Sequence, residues 1–135
     1  MDIQELRREA QTMQPQLTAD RRRLHRNPEA GAVLPETVAY VKERLTEMGY
    51  HPQELGGGLT ATVTGTDTGR CILLRADMDA LRGQEQSGLS FRSENGCMHA
   101  CGHDMHTAML LGAARLLMQH RHCLLYTSPS PRDCS

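Results

Sequence analysis

The feature that most constrains the fold is a short run of apolar residues in the middle of the chain. Residues 71–74 are all apolar, and the β-forming pattern continues to residue 76. A strand without polar alternation is expected to be buried on both faces, as in a sheet that helices cover on each side. Residues 60–64 predict a second strand, joined to the first by a turn at residues 65–69. The pattern therefore predicts an α/β fold.

Two acidic residues directly follow the predicted buried strand. Asp77 and Asp79 lie where the carboxyl end of that strand would be, and open α/β sheets bind their ligands at this edge. An aspartate in such a place can equally form a turn or cap a helix. Both acids are therefore candidate functional residues, with the turn or cap as the open alternative.

Residues 98–106, Met-His-Ala-Cys-Gly-His-Asp-Met-His, contain five side chains that can bind a transition metal. Cys101 and His103 flank Gly102, which lets the backbone turn so that a thiolate and an imidazole can meet on one ion. This pair suits zinc and tolerates other divalent metals. A lone histidine or cysteine is more often a surface or core residue, but the density of ligands favours a metal site. A catalytic zinc needs three protein ligands, and Cys101 and His103 supply two.

Helix-forming patterns account for most of the remaining chain. Four helices are predicted, over residues 2–13, 19–26, 35–48 and from 104 to about 117. Thr18 is predicted to cap the second helix, after Pro15 ends the first. The third helix carries an apolar face made of Val38, Val41, Leu45 and Met48. His25 lies near the end of the second helix, where a lone histidine is more often structural than catalytic.

Composition and charge argue against several classes of protein. The 135 residues are 39% hydrophobic with a net charge of -1, which is expected for a chain with one core and no nucleic-acid partner. The only basic cluster, residues 21–23, is interpreted as a solvated helix face. No run of residues is expected to cross or enter a membrane, and no signal peptide is recognised. Five irregularly spaced cysteines do not resemble a disulfide framework, so reduced thiols and a cytoplasmic location are expected.

Three motifs together resemble one enzyme family. Residues 24–29 (LHRNPE), 74–81 (LRADMDAL) and 98–108 (MHACGHDMHTA) are similar to motifs of hippurate hydrolases, N-acyl-amino-acid amidohydrolases of the aminoacylase and carboxypeptidase superfamily. The resemblance, from about Leu24 to Leu117, implies an α/β/α metallopeptidase catalytic domain interrupted by a smaller lid or dimerisation domain. It also implies hydrolysis of N-acyl amino acids, such as benzoylglycine or indoleacetyl conjugates, by a metal-activated water.

The resemblance implies roles for individual residues as well. Cys101 and His103 become metal ligands, and Asp77 becomes the catalytic acid that orients a ligand or the metal centre. Asp104 and His106 belong to the surrounding shell. Two divalent metal ions are implied for the full-length enzyme, zinc or manganese first, with cobalt and nickel as further candidates. The implied partners are a small N-acyl amino acid and a second subunit, bound through the lid domain.

Two departures from the family pattern affect these expectations. Family members usually have proline where this chain has Arg82, so the loop at residues 82–97 is expected to be less rigid. The paired glutamates that supply the general base and a ligand, and two more histidine ligands, are expected beyond this chain. The chain is therefore interpreted as an N-terminal fragment, truncated before the lid domain and inactive by itself. The alternative is a small structural metal-binding or thiol module that uses His99, Cys101, His103 and His106.

Residues 123–135 share neither the composition nor the periodicity of the helix before them. Serine and proline alternate there, and the peptide resembles the translated product of a transposase-type sequencing adapter through Asp133. Residues 1–122 are therefore expected to form the N-terminal part of the catalytic domain, and residues 123–135 a non-native tail. A natural proline-rich disordered tail is the alternative.

Deletion of residues 123–135 should leave the melting temperature unchanged. Pro129, Pro131 and the polar residues around them leave this segment unable to bury a useful apolar face. Differential scanning calorimetry of the full and shortened chains measures the difference. A drop of many degrees in the shortened chain would show that the segment packs on the domain.

Overall fold

The computed structural model describes residues 2–66 and 71–124. The helices there are α1 (Ile3–Thr12), α2 (Gln14–Arg26), α3 (Pro35–Glu47) and α4 (His103–Gln119), with a 3-10 turn at Arg121–Cys123. Two antiparallel strand pairs complete the described elements: β1 (Gln53–Leu55) with β2 (Gly58–Thr60), and β3 (Leu81–Arg82) with β4 (Cys97–Met98). None of the described helices combines the length and the apolar character needed to span a bilayer.

The predicted third and fourth helices are confirmed. Helix α3 begins at Pro35, and Gly49 follows its end with a φ of 96°, the left-handed conformation that glycine favours after a helix. The prediction for the second helix is wrong at its start, because α2 begins at Gln14. Pro15 lies in its first turn, where the missing N–H costs no hydrogen bond, and Thr18 lies inside the helix.

Helices α2, α3 and α4 enclose one small core. Its buried members are Leu24, Val41, Leu45, Tyr50 and Leu111. Helix α2 packs closely on α4 at Gly112, where an added Cβ would lie 2.7 Å from Cδ2 of Leu17. The Leu17 side chain would have to move to admit a larger residue, so the glycine lets the two helices approach closely at this point.

A buried carboxylate joins α2 to α3. Asp20 is 1% exposed and accepts hydrogen bonds from the Tyr40 hydroxyl (2.6 Å) and Arg44 Nε (3.0 Å). Burial, together with the hydrogen bond to Asp20, raises the pKa of Tyr40, so its hydroxyl stays a donor. A buried carboxylate is tolerated only with such partners. Asp20 therefore fixes α3 against α2.

Residues 28–30 connect the helices to the rest of the chain. The Glu29 carboxylate accepts hydrogen bonds from the backbone N–H groups of Glu36 (3.2 Å) and Thr37 (2.6 Å), which lie in the first turn of α3. The backbone C=O of Glu29 accepts from the N–H of Ala80 (2.7 Å), and Ala30 forms an isolated parallel bridge with Ala80. Glu29 thus caps α3 and fixes the segment that leads into β3.

The predicted strands at residues 60–64 and 71–76 are wrong in this structure. Strand β2 ends at Thr60, residues 71–76 form no strand, and Ile72 and Leu73 are each 85% exposed. The physical reason is that a strand needs neighbours to pair its N–H and C=O groups and to cover its faces. The described residues place no strand beside residues 71–76. Part of the predicted turn, residues 67–69, lies outside the described residues.

The cysteines differ from the expectation of reduced thiols. Cys71, Cys97 and Cys101 are free, whereas Cys123 is disulfide-bonded. Cys123 also ends the 3-10 turn after α4. The expected non-native tail begins at this residue, and residues 125–135 of it lie outside the described residues.

Leu111→Ala should lower the free energy of unfolding by about 2–5 kcal/mol, because Leu111 is 3% exposed and its truncation leaves a cavity in the core. Met109→Ala is the matched control in the same helix. Met109 is 60% exposed, so its truncation should change stability by no more than about 0.5 kcal/mol. Urea unfolding followed by circular dichroism measures both. Equal losses would contradict the position of the core.

Candidate metal centre

Three side chains that can bind a metal meet at the start of α4. One ligand atom from each of Asp77, His103 and His106 lies within 4.8 Å of the other two. His103 and His106 are three residues apart on α4 and so share a face, with ring centroids 5.6 Å apart. Asp77 comes from the segment before β3, and its carbonyl oxygen accepts a hydrogen bond from the Thr107 hydroxyl at 3.0 Å. Helix α4 therefore fixes all three.

The orientation of His103 is set by Asp79. His103 Nδ1 lies 2.9 Å from the carbonyl oxygen of Asp79 and 3.0 Å from its Oδ1. Both oxygens are acceptors, so Nδ1 carries the hydrogen and Nε2 keeps a free lone pair. Nε2 lies 4.0 Å from Asp77 Oδ2. A carboxylate behind a histidine in this way is the usual second contact of a metal-binding imidazole.

The donor set fits a divalent transition metal. Two imidazoles and a carboxylate are the ligands that zinc accepts, and manganese also binds such nitrogen and oxygen donors. Asp77 and His103 are partly buried and His106 is exposed, so the group can be reached from solvent. Asp77 also forms an ion pair with Arg75, which would compete with a metal for its carboxylate.

The predicted ligand Cys101 lies beside this group. Its thiol is free and exposed, and it is not among the three side chains that meet. Gly102 does form the predicted turn, with a φ of 80°, and precedes the first residue of α4. The structure therefore brings together the predicted residues Asp77 and His103, adds His106, and leaves Cys101 on the preceding turn.

His99 lies inside the protein. It is 7% exposed, and within the described part of the chain neither ring nitrogen has a hydrogen-bond partner. Burial lowers the pKa of His99, although the nearby Asp104 carboxylate opposes that shift. His99 is therefore a neutral buried ring outside the group formed by Asp77, His103 and His106.

A row of hydrogen-bonded side chains, partly or fully buried, meets the first turn of α4 at Asp104. Asp104 is 1% exposed, and its Oδ2 accepts a hydrogen bond from Arg21 Nε at 2.8 Å. The same oxygen lies 2.8 Å from Nδ1 of His25, whose Nε2 lies 2.8 Å from Oε1 of Glu85. The row Arg21, Asp104, His25 and Glu85 joins α2, α4 and the loop between β3 and β4.

Glu85 is an ionised carboxylate. Burial opposes its ionisation, but hydrogen bonds from His25, from the Ser93 N–H and hydroxyl and from the Ser87 hydroxyl outweigh burial and lower its pKa to about 2. Because the ordinary value is 4.5, its contribution to stability is present above that pH and is lost as the pH falls towards 2.

Sequence reasoning missed three functional features of this region. The spacing of His103 and His106 could have shown that they share one face of the helix. Asp79 was a candidate, but nothing in the sequence showed that it would contact His103. Glu85 had no sequence signal, because it lies in a loop 60 residues from His25.

Comparison with known proteins shows that the chain is similar to a family of peptidases and to amidohydrolases. The model of peptidase family M20/M25/M40 matches residues 73–127. The chain is similar to the N-acetyl-L-cysteine deacetylase of Bacillus subtilis strain 168, with 46% identity over 116 residues, 84% of this chain and 28% of the relative. It is also similar to the N-acyl-L-amino acid amidohydrolase of Geobacillus stearothermophilus, with 40% identity over 126 residues, 90% of this chain and 34% of the relative.

A solved structure shows the same fold. The crystal structure of the Bacillus subtilis YXEP protein, described as a dinuclear metal binding peptidase from the M20 family, superposes with a TM-score of 0.78 at 38% identity. The match covers 83% of this chain and 32% of that protein. The chain thus spans about a third of the length of the relatives that it matches. Its fold is that of the N-terminal part of their α/β catalytic domain.

Removal of His103 or of His106 should weaken zinc binding, whereas His99→Ala should leave it unchanged. The reason is that the first two lie in the group with Asp77 and the third is buried outside it. Isothermal titration calorimetry of His103→Ala, His106→Ala and His99→Ala measures the differences, and Cys101→Ser tests the predicted thiolate. Binding should also weaken at lower pH, because the neutral imidazole is the ligating form. Zinc binding that survives His103→Ala but not His99→Ala would refute this ligand set.

Proposed function

The chain belongs to peptidase family M20/M25/M40, and from this premise we propose that it forms part of a metal-dependent amidohydrolase acting on N-acyl amino acids. The observation that carries the proposal is the orientation of His103, whose Nδ1–H faces Asp79 and whose Nε2 faces Asp77. Two relatives support the substrate class, since one is named for N-acetyl-L-cysteine and the other for N-acyl-L-amino acids.

Each residue of the group has a role in this proposal. His103 and His106 bind the metal through ring nitrogens and Asp77 through its carboxylate, and Cys101 adds a thiolate as the family resemblance implies. Asp79 keeps His103 in the tautomer that leaves Nε2 free. A bound divalent metal supplies a polarised amide carbonyl and a water of lowered pKa. We propose that the carboxylate of Asp77 would also orient that water or a neighbouring ligand.

The proposal extends to the metal, the acyl group and the assembly. Two divalent ions fit the similarity to a dinuclear metal binding peptidase, and zinc or manganese fits the donors. Hippurate-like and indoleacetyl conjugates are the proposed substrates. A cytoplasmic location and a homodimer formed through the lid domain of the complete enzyme complete the proposal.

The general base is the part of the machinery that this chain does not place at the site. Within residues 2–66 and 71–124, the side chains that could share a metal are Asp77, His103 and His106, and none of them is a glutamate. Glu85 is partly buried and its carboxylate is already bonded to His25 and Ser93. We therefore propose that the chain by itself does not turn over substrate.

A chimera tests the proposal. Residues 1–122 of this chain should replace the matching segment of the Bacillus subtilis deacetylase and give metal-dependent hydrolysis of N-acetyl-L-cysteine, since the two are 46% identical over 116 residues. His103→Ala in the chimera should lower kcat/KM by at least about a hundredfold, as expected for the loss of a metal ligand. His120→Gln, at the far end of α4, is the control and should keep the activity of the chimera.

The isolated 135-residue chain should hydrolyse neither hippurate nor N-acetyl-L-cysteine with zinc or manganese added. Turnover by the isolated chain would contradict the expected loss of activity. A folded chimera whose activity does not depend on His103 would contradict the assignment of the site.

A further inference from the structure

His25 lies between the buried carboxylate of Asp104 and the partly buried carboxylate of Glu85. Its Nδ1 is 2.8 Å from Asp104 Oδ2 and its Nε2 is 2.8 Å from Glu85 Oε1. The ring is 8% exposed, and Phe91 packs against it edge to face at 5.4 Å. Both nitrogen–oxygen distances are those of direct hydrogen bonds. Each bond therefore depends on whether the ring nitrogen carries a hydrogen.

The two carboxylates that face His25 each accept a hydrogen bond from another group as well. Glu85 is ionised, because its hydrogen bonds outweigh burial and lower its pKa to about 2. Asp104 is paired with the Arg21 guanidinium through the oxygen that also faces His25. An ionised carboxylate offers no hydrogen, so each ring nitrogen of His25 must supply one. Hydrogen bonds from His25 to both carboxylates at once need the imidazolium form, with a hydrogen on both nitrogens.

When His25 is an imidazolium, the charges in the row of Arg21, Asp104, His25 and Glu85 also balance. Arg21 and the His25 imidazolium carry two positive charges, and Asp104 and Glu85 carry two negative ones. The remaining titratable ring that faces His25 is His99, with a centroid distance of 6.4 Å. A neutral His25 would turn a lone pair towards one of the carboxylates and leave a net negative charge in the interior, which is costly.

We infer that His25, in its imidazolium form, is a positioning residue for the metal centre. It joins Glu85 of the β3–β4 loop to Asp104, which follows His103 directly and lies in the same turn of α4 as His106. Loss of either hydrogen bond frees that turn to shift relative to the segment that carries Asp77 and Asp79. The inference rests on the proposed function in one respect, namely that this group binds a metal.

The protonation of His25 can be measured on the whole chain without any substitution. Long-range proton–nitrogen correlation spectra of histidine-labelled protein distinguish an imidazolium from either neutral tautomer. We expect His25 to show two protonated nitrogens, because each of them lies 2.8 Å from a carboxylate oxygen. His25→Gln identifies its signals. A neutral tautomer of His25 at neutral pH would overturn the inference.

Cobalt binding tests the positioning role. His25→Gln should weaken Co²⁺ binding by about tenfold, at the low end of what the loss of an outer contact costs a metal site, and should change the visible absorption bands that report the geometry around cobalt. The matched control is His120→Gln. His120 Nε2 lies 2.6 Å from Glu9 Oε2 and links α1 to the other end of α4, about 25 Å along the helix from His103.

The two variants separate positioning from general stability. His120→Gln should leave the cobalt affinity and spectrum unchanged, although it also removes a histidine–carboxylate contact between helices. Equal effects of the two variants, or none from His25→Gln, would overturn the inference. If His25→Gln fails to fold, Glu85→Gln removes the same charge pair from the loop side and should weaken cobalt binding similarly. Failure of the unsubstituted chain to bind cobalt would instead refute the proposed metal site, and the spectra of His25 would still decide its protonation.

Discussion

The buried carboxylate of Asp104 is the constraint on which the arrangement of this molecule depends. A carboxylate in a protein interior is costly unless charged or hydrogen-bonding partners surround it. Its partners, Arg21 and His25, both come from α2, and so α2 must lie against the start of α4. The close contact of Leu17 with Gly112 follows from the same packing, about half the length of α4 further along. Charge at the start of α4 and close packing at its middle thus fix the two helices together.

The acidic segment around Asp77 and Asp79 is ordered by this helix rather than by a sheet. The Thr107 hydroxyl donates to the carbonyl oxygen of Asp77, and His103 Nδ1 donates to Asp79. The segment before it, residues 71–76, is exposed and without a neighbouring strand in the described part of the chain. The group of Asp77, His103 and His106 can therefore form around α4 although the predicted sheet is not present in the described part of the chain.

Residues 24–29 contribute no side chain to the group formed by Asp77, His103 and His106. Glu29 caps α3, and the carbonyl oxygen of the buried Pro28 accepts a hydrogen bond from the Asn95 side chain at 2.8 Å. His25 contacts neither Asp77 nor His103, and acts instead through Asp104 and Glu85. Residues 24–29 thus connect separate parts of the chain.

The sequence by itself determined the features that depend on local chemistry. Helices α3 and α4, the glycine turn at Gly102 and the cluster of metal-binding side chains follow from spacing and from residue type, because neighbours along the chain decide them. The two strands predicted at residues 60–64 and 71–76 were wrong. A strand depends on neighbouring strands, which the local sequence pattern does not identify. Only the tertiary structure decided that Asp79 orients His103, that His106 joins Asp77, and that Glu85 meets His25. These contacts join residues far apart in the chain, and burial gives them their strength.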